Sequence, residues 1–199
     1  MKIAGVVMAG GESIRMGRDK ATLHRSQSPD GGTVESRTWL ERQLGLLDVC
    51  GLETLAVSWN RVRPAPALPS GVRLIRDHVE NAGPMAGLEA ALAELTSPLV
   101  FILAVDLQRM SQAIVSQLMS RAESGIGVIP MMGPQPEPLT AIYPSTALPE
   151  IIRRLQQREF SMRRLALAGI DQGWLSPWPV PADCVTDFAN WNQPSDLDS

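Results

Sequence analysis

Short apolar runs recur along the chain at residues 3–8, 54–58, 72–75, 99–105, 126–130 and 140–143. Each has the length of a β-strand, too short for a helix that must hold itself together. Segments with helical spacing lie between several of them. Leu40, Leu44 and Leu47 share one face, Leu88, Ala91, Leu92 and Leu95 a second, and Ile114, Val115, Leu118 and Met119 a third. Further on, Ser161 is placed to cap a short helix carrying Met162, Leu165 and Ala168, with Gly169 as its end. Strand and helix in alternation predict an α/β fold with a mainly parallel central sheet and helices on both faces. The run Leu99-Val100-Phe101-Ile102-Leu103-Ala104-Val105 is apolar without alternation, the pattern of a central strand covered on both sides.

A sheet of that kind binds its ligands beyond the carboxyl ends of its strands, so those ends are the places to search. The first strand runs into Ala9-Gly10-Gly11-Glu12-Ser13-Ile14-Arg15-Met16-Gly17-Arg18-Asp19-Lys20. Adjacent glycines allow a sharp turn whose N–H groups face outward without Cβ atoms in the way. Successive N–H groups in such a turn form a concavity for anions. Arg15, Arg18 and Lys20 bring positive charge beside it, an arrangement suited to a nucleoside triphosphate. Neither the Gly-Lys-Ser/Thr of a P-loop nor the dinucleotide fingerprint is present. Asn60, Asp77 and Asp106 follow the second, third and fourth predicted strands. Asparagine and aspartate are common in turns and caps; their recurrence along one predicted edge is what singles them out. An aspartate leaving a buried strand is also a good oxygen ligand for magnesium, which takes its remaining ligands from water and substrate phosphates.

Composition narrows the classes. With 199 residues, 44% hydrophobic and 20% charged, the chain reads as one globular domain spanning 1–199. A net charge of −3 argues against a general nucleic-acid binder, so an anionic ligand depends on a local basic cluster. No apolar run approaches a membrane span, and the first residues do not read as a signal peptide. Cys50 and Cys184 suit a reducing cytoplasm and are expected as buried free thiols without a metal-ligand pattern. His78 is expected to be a lone surface histidine. Residues 26–33 form a polar insertion-like loop and 63–69 a stiff, exposed proline-rich connector.

Met8-Ala9-Gly10-Gly11-x-Ser13-x-Arg15-Met16-Gly17-x-Asp19-Lys20 closely resembles the opening signature of the molybdenum cofactor guanylyltransferases. These belong to a wider superfamily of nucleotidyltransferases. Gly83-Pro84-Met85-Ala86-Gly87 resembles the family's second motif, with Met for Leu. The family's Pro-Cys-Asp-x-Pro keeps its aspartate here as Asp106, while the flanking residues differ. Glu137-Pro138-Leu139-Thr140-Ala141-Ile142-Tyr143 is similar to a segment expected near the acceptor. Asp187-Phe188-Ala189-Asn190-Trp191-Asn192-Gln193-Pro194-Ser195-Asp196-Leu197 resembles the family's closing motif with Gln193 in place of Thr, a segment that local pattern alone reads as a strand and a turn.

The resemblance implies a Rossmann-like nucleotidyltransferase fold and transfer of GMP from GTP to the terminal phosphate of molybdopterin. Met8, Ala9, Gly10, Gly11, Lys20, Asn60, Asp77, Gly83 and Gly87 would bind the nucleotide. Arg15, Lys20 and Asp106 would be catalytic, and Asp106 would hold Mg2+, with Asn190 and Asn192 as further candidate ligands. Cofactor-delivery or acceptor proteins would be partners. Three other readings stay open. They are a CTP-dependent cytidylyltransferase acting on the same cofactor, a relative with another phosphorylated acceptor, and a nucleotide-binding adaptor without catalysis.

Overall fold

The computed structural model describes residues 2–10, 20–23 and 37–190, with the backbone alone at Lys20. The first strand, β1 (Ile3–Met8), has two parallel neighbours. On one side lie β2 (Thr54–Trp59) and then β3 (Arg73–Arg76); on the other lies β4 (Leu99–Ala104). Beyond β4 the direction reverses at β7 (Thr140–Pro144), which runs antiparallel to both β4 and β5 (Gly127–Met132). The two-residue β6 (Gln135–Pro136) also pairs antiparallel with β5, whereas β8 (Leu175–Pro179) pairs parallel with it. Six of the eight strands therefore point the same way, and the expected mainly parallel sheet is present.

Helices cover both faces. One layer buries Leu40, Leu44 and Leu47 of α1 (Trp39–Val49) with Ile114, Val115 and Leu118 of α3 (Gln112–Arg121). The opposite layer buries α2 (Pro84–Glu94), α4 (Leu148–Gln156) and α5 (Met162–Asp171) against the other side of the same strands. The alternation in β4 shows how one strand serves both layers. Leu99, Phe101 and Leu103 enter the first, Val100 and Ile102 the second. This is why the sequence of β4 is apolar throughout.

Local chemistry fixes the helix ends. Thr38 and Glu41 form a reciprocal capping box at the start of α1, the Thr38 Oγ1 accepting from the Glu41 N–H and Glu41 accepting from the Thr38 N–H. Ser111 caps α3, and Ser161 caps α5 as its position in the sequence predicts. The end of α5 differs from expectation. Gly169 lies inside the helix, where the Trp174 ring occupies the space a Cβ would need. The chain leaves the helical path at Gly173, whose φ of +78° suits glycine.

Other departures have equally local causes. The sequence reading omits α4, although Leu148, Ile151, Ile152 and Leu155 recur at helical spacing. It also omits β8, whose Pro177 and Pro179 argue against a strand; a strand at the sheet's margin tolerates them. Asp187 and Phe188 belong to 3-10 turns at Ala182–Phe188, where a strand and turn were expected. Cys50 and Cys184 are free but only partly buried, not buried as expected. Residues 26–33 lie outside the described residues, while the proline-rich connector is largely exposed as expected. No helix among the described residues is long and apolar enough to cross a membrane.

Tyr143 ties the reversed strand to the functional edge. Its side chain is fully buried, and its hydroxyl donates to the Pro138 carbonyl at 2.9 Å. Burial pushes the phenol's proton affinity far up, so it stays a neutral donor. Tyr143→Phe leaves that carbonyl short of a partner and is expected to lower stability by about 1 kcal/mol. Urea unfolding with an unchanged midpoint would show that the bond contributes nothing net.

Candidate active site

The four parallel strands β1 to β4 finish at the same edge of the sheet. Strand order turns there, since β2 and β3 lie to one side of β1 and β4 to the other. A crevice opens where successive connections leave in opposite directions. A cavity of about 500 Å³ occupies this position. That volume is within the range of small-molecule sites.

Backbone hydrogen bonds continue past the strands and set its floor. The Ala9 N–H donates to the Ser58 carbonyl at 3.1 Å, and the Val105 N–H to the Met8 carbonyl at 3.1 Å. The Asp77 N–H donates to the Trp59 carbonyl at 3.2 Å. Gly10, Asn60, Asp77 and Asp106 are thereby carried to the mouth of one cavity from four different strands. Gly10 makes a close approach: a Cβ built there would lie 2.8 Å from the Asn60 backbone nitrogen. Only a residue without a side chain lets the ends of β1 and β2 stay together at this point.

Each wall is braced from behind. The Asn60 side-chain oxygen accepts from the Val62 N–H at 3.0 Å, turning the chain after β2. The Arg76 guanidinium donates to the carbonyls of Asn60 and Arg63 at 2.8 and 2.6 Å. Arg63 in turn stacks over the Trp59 ring, and the Trp59 indole N–H donates to the Pro64 carbonyl. On the far side, the Leu139 carbonyl accepts from the Ala104 N–H at 2.8 Å, bringing Leu139 to the cavity beside β4.

Asp77 is half-buried, and desolvation pushes its carboxyl above the ordinary aspartate range. The Ser58 hydroxyl, His78 and Arg76 pull the other way. His78 is not the lone surface histidine that was expected. Its Nδ1 lies 3.0 Å from Glu89 and its Nε2 3.3 Å from Glu94, so the ring joins the β3–α2 connection to two carboxylates of α2. Within that connection Gly83 has a φ of +60° and precedes Pro84, the first helical residue of α2.

Among the residues singled out in the sequence, Met8, Ala9, Gly10, Asn60, Asp77, Gly83 and Asp106 line the cavity. Gly87 packs behind it, where a Cβ would collide with Ser58 and Met8. Asn190 is exposed and does not line it. Gly11, Arg15 and Asn192 lie outside the described residues, as does the side chain of Lys20. The structure adds Ser58, Arg61, Val62, Glu80 and Asn81 to the lining. Ser58 had no visible signal, because an isolated serine near a strand end does not disclose which face it takes. Asn81 has a φ of +57°, tolerable for asparagine, and an asparagine two residues before Gly83-Pro84 is a turn signal.

The described walls carry three carboxylates, Asp77, Glu80 and Asp106, against the one guanidinium of Arg61. Such walls offer acceptors to donor groups and oxygens to a hard cation. By themselves they repel phosphate. Among the described residues no group of three or more His, Cys, Asp or Glu side chains could hold a metal ion without other ligands.

A family model described as the MobA-like NTP transferase domain matches residues 5–171. The probable molybdenum cofactor guanylyltransferase of Opitutus terrae is 35% identical over 201 residues, covering 98% of this chain and 93% of that protein. The protein of the same description from Chloroflexus aggregans is 30% identical, covering 99% and 92%. Among solved structures, molybdopterin-guanine dinucleotide biosynthesis protein A from Archaeoglobus fulgidus superposes with a TM-score of 0.70 at 21% identity, covering 98% and 95%.

Gly10→Ala tests the packing of the strand ends. The added methyl forces β1 and β2 apart where they form the cavity floor, and a displacement of this kind is expected to weaken ligand binding roughly tenfold or more. Calorimetric titration with nucleoside triphosphates would measure it, and unchanged affinity would remove Gly10 from the site.

Proposed function

The chain belongs to the MobA-like NTP transferase family, and from that membership we propose that it transfers GMP from GTP to the terminal phosphate of molybdopterin. One observation carries the reading: four strand ends bring Gly10, Asn60, Asp77 and Asp106 around a single cavity at the point where strand order turns.

In this reaction an oxygen of the acceptor phosphate attacks the α-phosphorus of GTP. The bond from that phosphorus to the bridging oxygen breaks, and the electron pair leaves with pyrophosphate. Such transfers depend on positioning and charge neutralisation more than on covalent catalysis by the protein. The N–H groups around Gly10 and Gly11 cradle the phosphates. Arg15 holds the departing pyrophosphate through its planar fork, and Lys20 neutralises charge at the α-phosphate. Asn60 and Asp77 face the nucleoside, with Gly83 and Gly87 shaping the adjoining wall.

The donor set at the mouth of the cavity fits magnesium. This ion is commonly held by one or two carboxylates together with substrate phosphates and water. Asp106, half-buried at the end of β4, is the carboxylate that would hold it. When bound, magnesium supplies further neutralisation of the phosphate oxygens. The reading places the enzyme in the cytoplasm, where its triphosphate is available and the partly buried Cys50 and Cys184 stay reduced.

The decisive assay incubates the protein with magnesium and either GTP or CTP, with and without molybdopterin, and measures pyrophosphate. Release that requires GTP and acceptor together is expected. A clear preference for CTP would make the protein a cytidylyltransferase, and binding without pyrophosphate release would make it an adaptor. Lys20→Ala and Asp106→Ala are each expected to lower turnover by ~100-fold, the scale of losing one stabiliser of developing charge. Near-normal turnover in either folded variant would remove that residue from the catalytic set.

A further inference from the structure

We propose that Ser58 is a positioning residue for nucleobase recognition, its hydroxyl holding the Asp77 carboxylate in the orientation that accepts hydrogen bonds from guanine. The proposal rests on the guanylyl-transfer reading and deepens it.

Ser58 is the next-to-last residue of β2 and is only 2% exposed. It lines the cavity, and its Oγ donates to Asp77 Oδ1 at 3.2 Å. The backbone on either side is already committed. The Ser58 carbonyl accepts from Ala9, and the Trp59 carbonyl from the Asp77 N–H. The hydroxyl is therefore fixed relative to both β1 and β3. Gly87 makes the same point from above, since a side chain there would occupy the place of the Ser58 hydroxyl. The first turns of α2 come down onto this serine.

Among the described residues Ser58 donates to Asp77 Oδ1, and Oδ2 has no donor. A carboxylate restrained at one oxygen is presented in one orientation. Ionised, it accepts and cannot donate. The Watson–Crick edge of guanine offers two neighbouring donors, N1–H and the N2 amino group. Cytosine offers the acceptors N3 and O2 on the corresponding part of its edge. A fixed carboxylate rewards the first and repels the second, so Ser58 would support selectivity as well as affinity.

The charged surroundings of Asp77 set the sign of the pH effect. Arg76 and His78 flank it in the chain, Glu89 of α2 reaches it through His78, and Glu80, Arg61 and Asp106 share the cavity. Burial raises the Asp77 carboxyl, and the Ser58 hydrogen bond opposes that rise. Removing the hydroxyl raises it further, so protonation and loss of binding begin at a higher pH.

The test uses Ser58→Ala, Asp77→Asn and the double variant of the full chain, titrated calorimetrically with GTP and with CTP. Ser58→Ala is expected to weaken GTP binding roughly fivefold near neutral pH, the scale of one net hydrogen bond, and by more as pH falls. CTP binding should change less. In the Asp77→Asn background the same substitution should add no pH-dependent loss. Equal losses with and without the Asp77 carboxylate would overturn the proposal and leave Ser58 a packing residue. A second readout needs no nucleotide: the Asp77 carboxyl resonance, followed by NMR in the ligand-free protein, should titrate at higher pH in Ser58→Ala. An unmoved titration would also overturn the proposal. Failure of the unmodified protein to bind GTP would overturn the guanylyl-transfer reading and base recognition with it, whereas the NMR titration separately reports whether Ser58 controls Asp77.

Discussion

The constraint on which this molecule depends is the double pairing of β1. Its residues Ala4 to Met8 hydrogen-bond in parallel with β2 on one side and β4 on the other. The pairing does not stop at the strand: Ala9 still donates to β2, and Val105 still reaches back to Met8. Parallel strands cannot be joined by hairpins, so each connection must travel back across the sheet, usually as a helix. Connections from β1 leave toward β2, while the chain re-enters on the opposite side at β4. At this reversal of strand order the cavity opens beyond the carboxyl ends of β1 to β4. The cavity is a consequence of strand order before it is a property of any side chain.

That origin explains the composition of the walls. Residues inside the sheet have backbone partners on both sides and apolar surroundings, and polar side chains there are costly unless paired. One or two residues past a strand the pairing runs out and the solvent begins. Asn60, Asp77 and Asp106 all stand at that boundary, with the floor apolar beneath them. Asp77 shows the tension most clearly. Burial raises its carboxyl, and a serine, a histidine and an arginine oppose that rise without cancelling it. The bracing around it follows the same logic. Arg76 takes two carbonyls after β2 that no strand partner satisfies, and His78 attaches the β3–α2 connection to α2.

Much of this was legible in the sequence because period and length carry it. The six strands expected from apolar runs are all present, β1 with the same bounds and the others shifted by one or two residues at their ends. The mainly parallel order follows from the helical segments between them. Gly10, Asn60, Asp77 and Asp106 converge because one rule, binding beyond the carboxyl ends of parallel strands, locates them without side-chain coordinates, while Met8, Ala9 and Gly83 were singled out by the family resemblance. What stayed hidden depended on tertiary contact. Gly169 resembles a helix stop until Trp174 is seen lying on it, and β8 resembles a proline-rich loop until β5 is seen pairing with it. His78 looked solitary because Glu89 and Glu94, eleven and sixteen residues away, become its neighbours only when α2 folds back.

Charge divides the labour within the site. The described walls are acidic, and the protein as a whole carries −3, yet the ligand proposed for it is a polyanion. The two facts are compatible because the groups of a nucleoside triphosphate differ. Its base presents donors, which under this proposal a carboxylate at the end of β3 accepts. Its phosphates require cations, which the sequence concentrates after Gly10 as Arg15, Arg18 and Lys20. Asp106, on the strand next to β1, stands between these requirements. A carboxylate there repels phosphate unless a divalent cation lies between them, which is the role the proposed reaction gives it. In the proposed reaction the acidic walls suit the base and the metal, and the cationic residues that follow Gly10 in the sequence would supply what those walls cannot.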